Sequence, residues 1–264
     1  MAIVQVNGVS FNVRIDGQES NPWLILSNSL GSTLAMWDHQ IDLLTTTWRV
    51  LRYDTRGHGR SEVPPGPYRL DDLVADVIGL MDAHAVKEAA FMGLSMGGMT
   101  GLGLALAHPD RIRRVVCCDT RADASEGWAK LWNDRIQFVR DNGMAAMVPT
   151  TMQRWLMTST RSAKPGCAKW LGDMIAATPI EGYIGCAAAI REIDYLKDLP
   201  RIKIPVLYVG GDSDAGAPPD VMQAMAKATP GAAYYTVPGA AHIANIDNPQ
   251  GFNAAISTFL DLRT

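Results

Sequence analysis

The densest chemical signal in the chain is the stretch Gly93-Leu94-Ser95-Met96-Gly97-Gly98. It follows the apolar run Ala89-Ala90-Phe91-Met92, which reads as a buried strand. It precedes Met99 to His108, which reads as a helix ended by Pro109. A serine within G-x-S-x-G, between strand and helix, stands on a turn so tight that its neighbours must lack bulk. Gly93 and Gly97 let the two backbones approach, and Gly98 keeps the first helical turn slim. The hydroxyl is then held over a helix N-terminus, which favours developing negative charge.

A serine hydroxyl is a weak nucleophile at neutral pH and needs a base, usually an imidazole oriented by a carboxylate. Following such a turn, the partners come in the order Ser, Asp or Glu, His, each on a loop after a strand. Of the five histidines, His242 alone has that place, in Val237-Pro238-Gly239-Ala240-Ala241-His242. His39 and His84 fall in helical patterns and His108 closes a helix, while His58, in Arg56-Gly57-His58-Gly59, reads as a structural loop residue. Two carboxylates compete for the middle role between Gly210 and Pro219. Asp214, further from the strand end and just before the Pro218-Pro219 helix start, is preferred; Asp212 reads as a turn cap. A tetrahedral intermediate also needs donors for its oxyanion. The backbone N–H of Met96, directly after the serine, is one candidate. That of Leu30, in the polar loop Ser27 to Ser32, is the other.

The elements that would position these groups alternate. Ile3–Val6 and Val9–Ile15 flank Asn7-Gly8, a hairpin signal. Trp23–Leu26, Trp48–Tyr53, Ala89–Met92, Val115–Asp119, Ile204–Gly210 and Ala233–Val237 read as strands. Met36–Leu44, Leu70–His84, Met99–His108, Pro219–Ala228 and Pro249–Leu262 read as helices. This rhythm predicts an α/β fold with a mostly parallel sheet covered by helices on both faces. It breaks from about Arg121 to Leu196, a helical stretch rich in Ala, Met and Trp. The expected organisation is a core from residues 1–120 and 197–264, with 121–196 as a helical insertion.

Composition bounds the rest. With 264 residues, 47% hydrophobic and 19% charged, the chain has an ordinary globular make-up. A net charge of −3 and no basic cluster argue against nucleic acid or anionic membrane as partners. No apolar run approaches a membrane span, and the first residues enter a strand pattern without a secretion signal. Cys117, Cys118, Cys167 and Cys186 lack metal-ligand spacing, so reduced thiols, no metal, no cofactor and a cytoplasmic location are expected. The partner implied is a small molecule; the oligomeric state stays open.

Taken together, the chain resembles the α/β-hydrolases, through Asp54-Thr55-Arg56-Gly57-His58-Gly59-Arg60-Ser61, the Ser95 elbow and the final Gly239-Ala240-Ala241-His242. More narrowly it resembles the 3-oxoadipate enol-lactonases. That likeness rests on Asn28-Ser29-Leu30-Gly31, Trp132-Asn133-Asp134-Arg135-Ile136, Arg154-Trp155, Ala177 to Tyr183 and Ala241-His242-Ile243-Ala244-Asn245. The resemblance implies that the insertion is a cap over the site and that the reaction is cofactor-free acyl transfer to water. It also implies a substrate carboxylate, for which Arg135, with Trp132 one turn away, is the first candidate, followed by Arg154 and Arg191. A general carboxylesterase, lactonase or perhydrolase on the same residues is the alternative, and a non-enzymatic ligand sensor is a further one.

Overall fold

Asn7 and Gly8 both take positive φ, 52° and 77°, the conformation of a two-residue turn that matches strand twist. They join β1 (Ala2–Val6) to β2 (Val9–Asp16) as an antiparallel hairpin. In the computed structural model, which describes residues 2–262, this hairpin forms one edge of an eight-stranded sheet ordered β1-β2-β4-β3-β5-β6-β7-β8. The other strands, β3 (Trp23–Ser27), β4 (Arg49–Tyr53), β5 (Ala89–Leu94), β6 (Ile112–Cys118), β7 (Val206–Gly211) and β8 (Ala233–Val237), run parallel to one another.

Alternate residues of the central strands feed two apolar layers, as a period of two requires. Leu24, Leu26, Met92, Leu94, Val116 and Cys118 face one layer, where Phe252 and Ile256 pack. Ile25, Phe91, Val115 and Cys117 face the other, with Val77, Leu102 and Met222. The covering helices are α1 (Ile41–Leu44), α2 (Leu70–Ala83), α3 (Met96–Ala107), α9 (Pro219–Ala228), α10 (Ala244–Asp247) and α11 (Pro249–Ser257). Between β6 and β7 come α4 (Trp128–Asn142), α5 (Met144–Trp155), α6 (Thr158–Ala163), α7 (Pro165–Ala176) and α8 (Ile180–Arg191). The four cysteines are free thiols, and among the described residues no helix is long and apolar enough to cross a membrane.

Several boundaries differ from the pattern of the sequence. The first helix begins as a 3₁₀ segment, Leu34–Gln40, because Leu34, Trp37 and Gln40 are buried at a spacing of three. The helix after the serine begins at Met96 rather than Met99, since Ser95 alone makes the turn. The last helix stops at Ser257 instead of reaching Leu262. There the chain tightens so that Leu260 is buried and its carbonyl accepts the Trp48 indole N–H at 2.8 Å.

Strand register places the loops. Ser27 pairs with Gly93, Leu94 with Cys118, Cys118 with Val209 and Gly211 with Val237. The carboxyl ends of β3, β5, β6, β7 and β8 therefore lie along one edge, the place where parallel sheets of this kind bind ligands.

Candidate active site

At the end of β5 the backbone of Ser95 is forced to φ 56°, ψ −112°, a region that non-glycine residues rarely occupy and that stores strain. Its own N–H donates to the Cys118 carbonyl at 2.8 Å, and its carbonyl accepts from Thr120 Oγ1 at 2.7 Å. A Cβ at Gly93 would collide with the Gly97 carbonyl, and one at Gly97 with the Ser27 carbonyl. These close approaches hold the turn and point the half-buried serine into a cavity.

His242 and Asp214 meet Ser95 there, from the loops after β8 and β7. His242 Nε2 lies 3.0 Å from Ser95 Oγ, and Nδ1 lies 2.8 Å from Asp214 Oδ2. Asp214 is buried, and its Oδ1 accepts from the Gly216 N–H at 2.7 Å. Burial pushes this carboxyl upward, but His242 and the N–H groups of Gly216 and Ala217 outweigh burial and hold it below its ordinary value. Asp212, the rival carboxylate, is exposed. It accepts from the Gly239 N–H at 2.8 Å and from Ser213 Oγ at 2.8 Å, which ties one loop to the next.

The loop after β3 is braced from three sides. Asn28 Nδ2 donates to the Tyr53 carbonyl, Trp37 Nε1 donates to Asn28 Oδ1, and the Gly31 N–H donates to His58 Nε2 at 3.0 Å. His58 is fully buried, and burial lowers its affinity for a proton despite the Arg56 carbonyl and Asp54 nearby. A neutral ring with Nδ1–H on the Arg56 carbonyl leaves Nε2 free to accept, so His58 shapes the loop and does not face the cavity. Among the described residues, the Leu30 and Met96 N–H groups donate to no protein acceptor, which leaves two backbone donors beside Ser95.

The cavity measures about 240 Å³ and is closed on the far side by the helices between β6 and β7. Trp128 and Trp132 form one wall, edge to face at 5.6 Å, and the Arg135 guanidinium sits 4.7 Å over the Trp132 ring. Arg135 and Arg154 both line the cavity, and among the described residues neither has a carboxylate or hydrogen-bond acceptor. Burial, then the neighbouring Arg154, pushes Arg135 down to about 10. Burial likewise lowers Arg154. In both cases burial outweighs the groups that oppose it, Tyr183 for Arg135 and Tyr183 with Asp214 for Arg154. The Trp132 indole N–H is buried without a partner, and Tyr183 shares this wall. Arg191 is elsewhere: it bonds Glu192 and Asn133, each at 2.8 Å, outside the cavity.

Two carboxyls escaped the reading of the sequence. Asp119, at the end of β6, has φ 45° and is fully buried, with Oδ1 accepting from the Gly211 N–H and Oδ2 unpartnered. Burial, reinforced by Asp214, raises its proton affinity well above the ordinary carboxylate range against the opposing N–H groups of Gly211 and Ala244. Asp247 is buried beneath the His242 loop. The signal for both was weak, since an Asp ending a strand or a short helix is ordinary turn chemistry.

A family model described as alpha/beta hydrolase fold matches residues 22–249. The 3-oxoadipate enol-lactonase 2 of Acinetobacter baylyi is 37% identical over 252 residues, covering 96% of this chain and 93% of that protein. A protein of Caulobacter segnis, named provisionally as a carbamate hydrolase, is 30% identical over 97% of each chain. Among solved structures, the enol-lactonase of Burkholderia xenovorans superposes with a TM-score of 0.96 at 40% identity, covering 98% of this chain and 100% of that one.

Proposed function

The chain belongs to the alpha/beta hydrolase fold family, a family of hydrolases, and on that premise we propose that it opens a carboxylate-bearing enol-lactone through a serine acyl-enzyme. One observation carries the reading: a Ser95–His242–Asp214 chain at 3.0 and 2.8 Å opens onto a cavity that also holds two unpaired guanidiniums. A neutral ester would leave both half-buried guanidiniums without a directly bonded anion, whereas an acidic lactone would supply one. The enol-lactonase relatives agree with that choice.

In this mechanism Ser95 Oγ attacks the lactone carbonyl carbon while its proton passes to His242 Nε2. Asp214 keeps Nδ1 protonated and stabilises the imidazolium. The oxyanion accepts from the Leu30 and Met96 N–H groups. The ring C–O bond then breaks, and His242 returns the proton to the departing enol oxygen. The enol ketonises, which opposes ring closure. Water, deprotonated by His242, attacks the acyl-enzyme, and Ser95 leaves with the proton that His242 carries. The product bears a second carboxylate. No step calls for a metal or cofactor. Residues 121–196 act as the cap, with Arg135, Arg154 and Trp132 as substrate contacts, and the enzyme works in the cytoplasm on a small molecule.

The test is hydrolysis of 3-oxoadipate enol-lactone beside p-nitrophenyl acetate, with wild type and Ser95→Ala. Serine-dependent opening of the lactone with weak acetate cleavage is expected. Rapid acetate cleavage without lactone opening would discard the substrate and favour a general esterase. Turnover of a carbamate ester alone would favour the chemistry named for the Caulobacter relative. Binding of the lactone without turnover would favour the sensor.

A further inference from the structure

The loop that carries His242 is fastened to the inserted helices as well as to the sheet. The His242 N–H donates to the Arg154 carbonyl at 3.3 Å, and the Ile243 N–H donates to the Trp155 carbonyl at 3.0 Å. These are carbonyls of the last turn of α5, which lack partners within the helix. Asp247 adds a second fastening. Its Oδ2 accepts from the Ala241 N–H at 2.7 Å, directly before His242, and from the Met157 N–H at 2.9 Å, just after α5. Asp247 is 6% exposed, and its Oδ1 has no partner. One carboxylate oxygen therefore bridges the two sides of the cavity. Behind it, Asn245 Nδ2 donates to the Met36 carbonyl and to Gln40 Oε1, which anchors α10 to the body of the fold.

Arg154 occupies both ends of this arrangement. Its side chain lines the cavity, and its carbonyl holds the His242 backbone. We propose that Asp247 is a positioning residue: by clasping Ala241 and Met157 it makes the end of α5 and the His242 loop one rigid unit. The residue presenting a guanidinium to substrate and the residue accepting the Ser95 proton are thereby placed together. The proposal rests on the reading of Ser95, His242 and Asp214 as the reacting groups. Its physical basis is that proton transfer is sensitive to ångström-scale placement, and that Ala241 otherwise enters the loop without this restraint.

Three variants test it, with p-nitrophenyl acetate varied up to saturation and rates referred to the folded fraction from circular dichroism. Asp247→Ala removes both acceptor contacts and is expected to lower kcat about 10- to 100-fold, with KM for this small neutral ester changed less than about threefold. Asp247→Asn keeps an oxygen for both N–H groups and is expected to restore kcat to within about threefold of wild type. Met157→Pro removes the donor on the α5 side and sets its ring Cδ where the N–H points at Asp247 Oδ2, so it breaks the clasp from that side. Its backbone suits proline, since Met157 has φ −55° and Leu156 is extended at φ −127°, ψ 144°. It is expected to lower kcat about 3- to 10-fold with a native spectrum. Wild-type kcat in folded Asp247→Ala, a fall in melting temperature alone, or an amide variant as slow as alanine would overturn the clasp. Should Asp247→Ala not fold, Met157→Pro decides, and wild-type kcat there overturns it too. Retained turnover in Ser95→Ala would overturn the serine reading itself, a separate outcome.

Discussion

Replacing Asp214 by asparagine swaps one oxygen for an amide group in a site where both carboxylate oxygens are used. Oδ2 faces His242 Nδ1 at 2.8 Å and Oδ1 accepts from the Gly216 N–H at 2.7 Å. If the asparagine turns its NH₂ toward His242, Nδ1 must become the acceptor. The proton then sits on Nε2, which can no longer take the one from Ser95. If it turns its oxygen toward His242, the NH₂ meets the Gly216 N–H, donor against donor. The first orientation keeps both contacts but fixes the wrong tautomer; the second loses a buried hydrogen bond, at about 1–3 kcal/mol, and both lose a charge-assisted bond to the imidazolium of about 1.5–3 kcal/mol. For the second orientation the sum, about 2.5–6 kcal/mol, corresponds to a fall in kcat of roughly 10²- to 10⁴-fold, and the wrong tautomer of the first reaches the upper end of that range. Asp212→Asn is the control. That side chain is exposed, and the amide oxygen can still accept from the Gly239 N–H, so kcat should stay within about threefold of wild type. The assay is steady-state cleavage of p-nitrophenyl acetate and of the lactone, with melting curves to show that both variants are folded. A larger loss in Asp212→Asn, or an Asp214→Asn enzyme within about tenfold of wild type, would refute the assignment of the acid.

Two further outcomes follow from charge. Arg135→Met and Arg154→Met should each raise KM for the acidic lactone about 10- to 100-fold and leave p-nitrophenyl acetate nearly untouched, as expected for loss of a charge-assisted contact; equal effects on both substrates would count against a carboxylate contact. His58 concerns stability. Its folded-state affinity for a proton lies below the ordinary imidazole value of 6.5, so the unfolded chain binds more protons as pH falls below that value. Its contribution is present above about 6.5 and fades on acidification, with a slope of at most about 1.4 kcal/mol per pH unit. Melting temperatures between pH 7 and 5 should fall more steeply in wild type than in His58→Gln, and parallel curves would contradict this.

Much of the fold was legible because its signals are local. Strands buried on both faces must be apolar throughout, and Trp23–Leu26, Ala89–Met92 and Val115–Cys118 are. Helix ends were less legible. The extra turn at Met96 depends on a single strained residue, and the 3₁₀ segment at Leu34–Gln40 depends on what Trp37 packs against.

The site divides the same way. Chain order and loop chemistry single out Ser95 and His242, because a tight glycine turn and a lone loop histidine after the last strand can be read without coordinates. They rank Asp214 above Asp212 only weakly, as both sit in one polar loop two residues apart. Tertiary structure sets them apart: Asp214 is buried against His242 and Asp212 faces solvent. Arginines on amphipathic helices look alike in sequence, yet Arg191 is paired on the surface while Arg135 and Arg154 are unpaired in the cavity. The place of Asp247 was invisible, since it accepts from two N–H groups, one of them 90 residues away. Local sequence determines which backbone turns and which faces are apolar, because those follow from sterics and periodicity within a few residues. Which polar groups are desolvated together, and therefore how each is charged and held, depends on contacts between distant segments, and only the folded structure decides it.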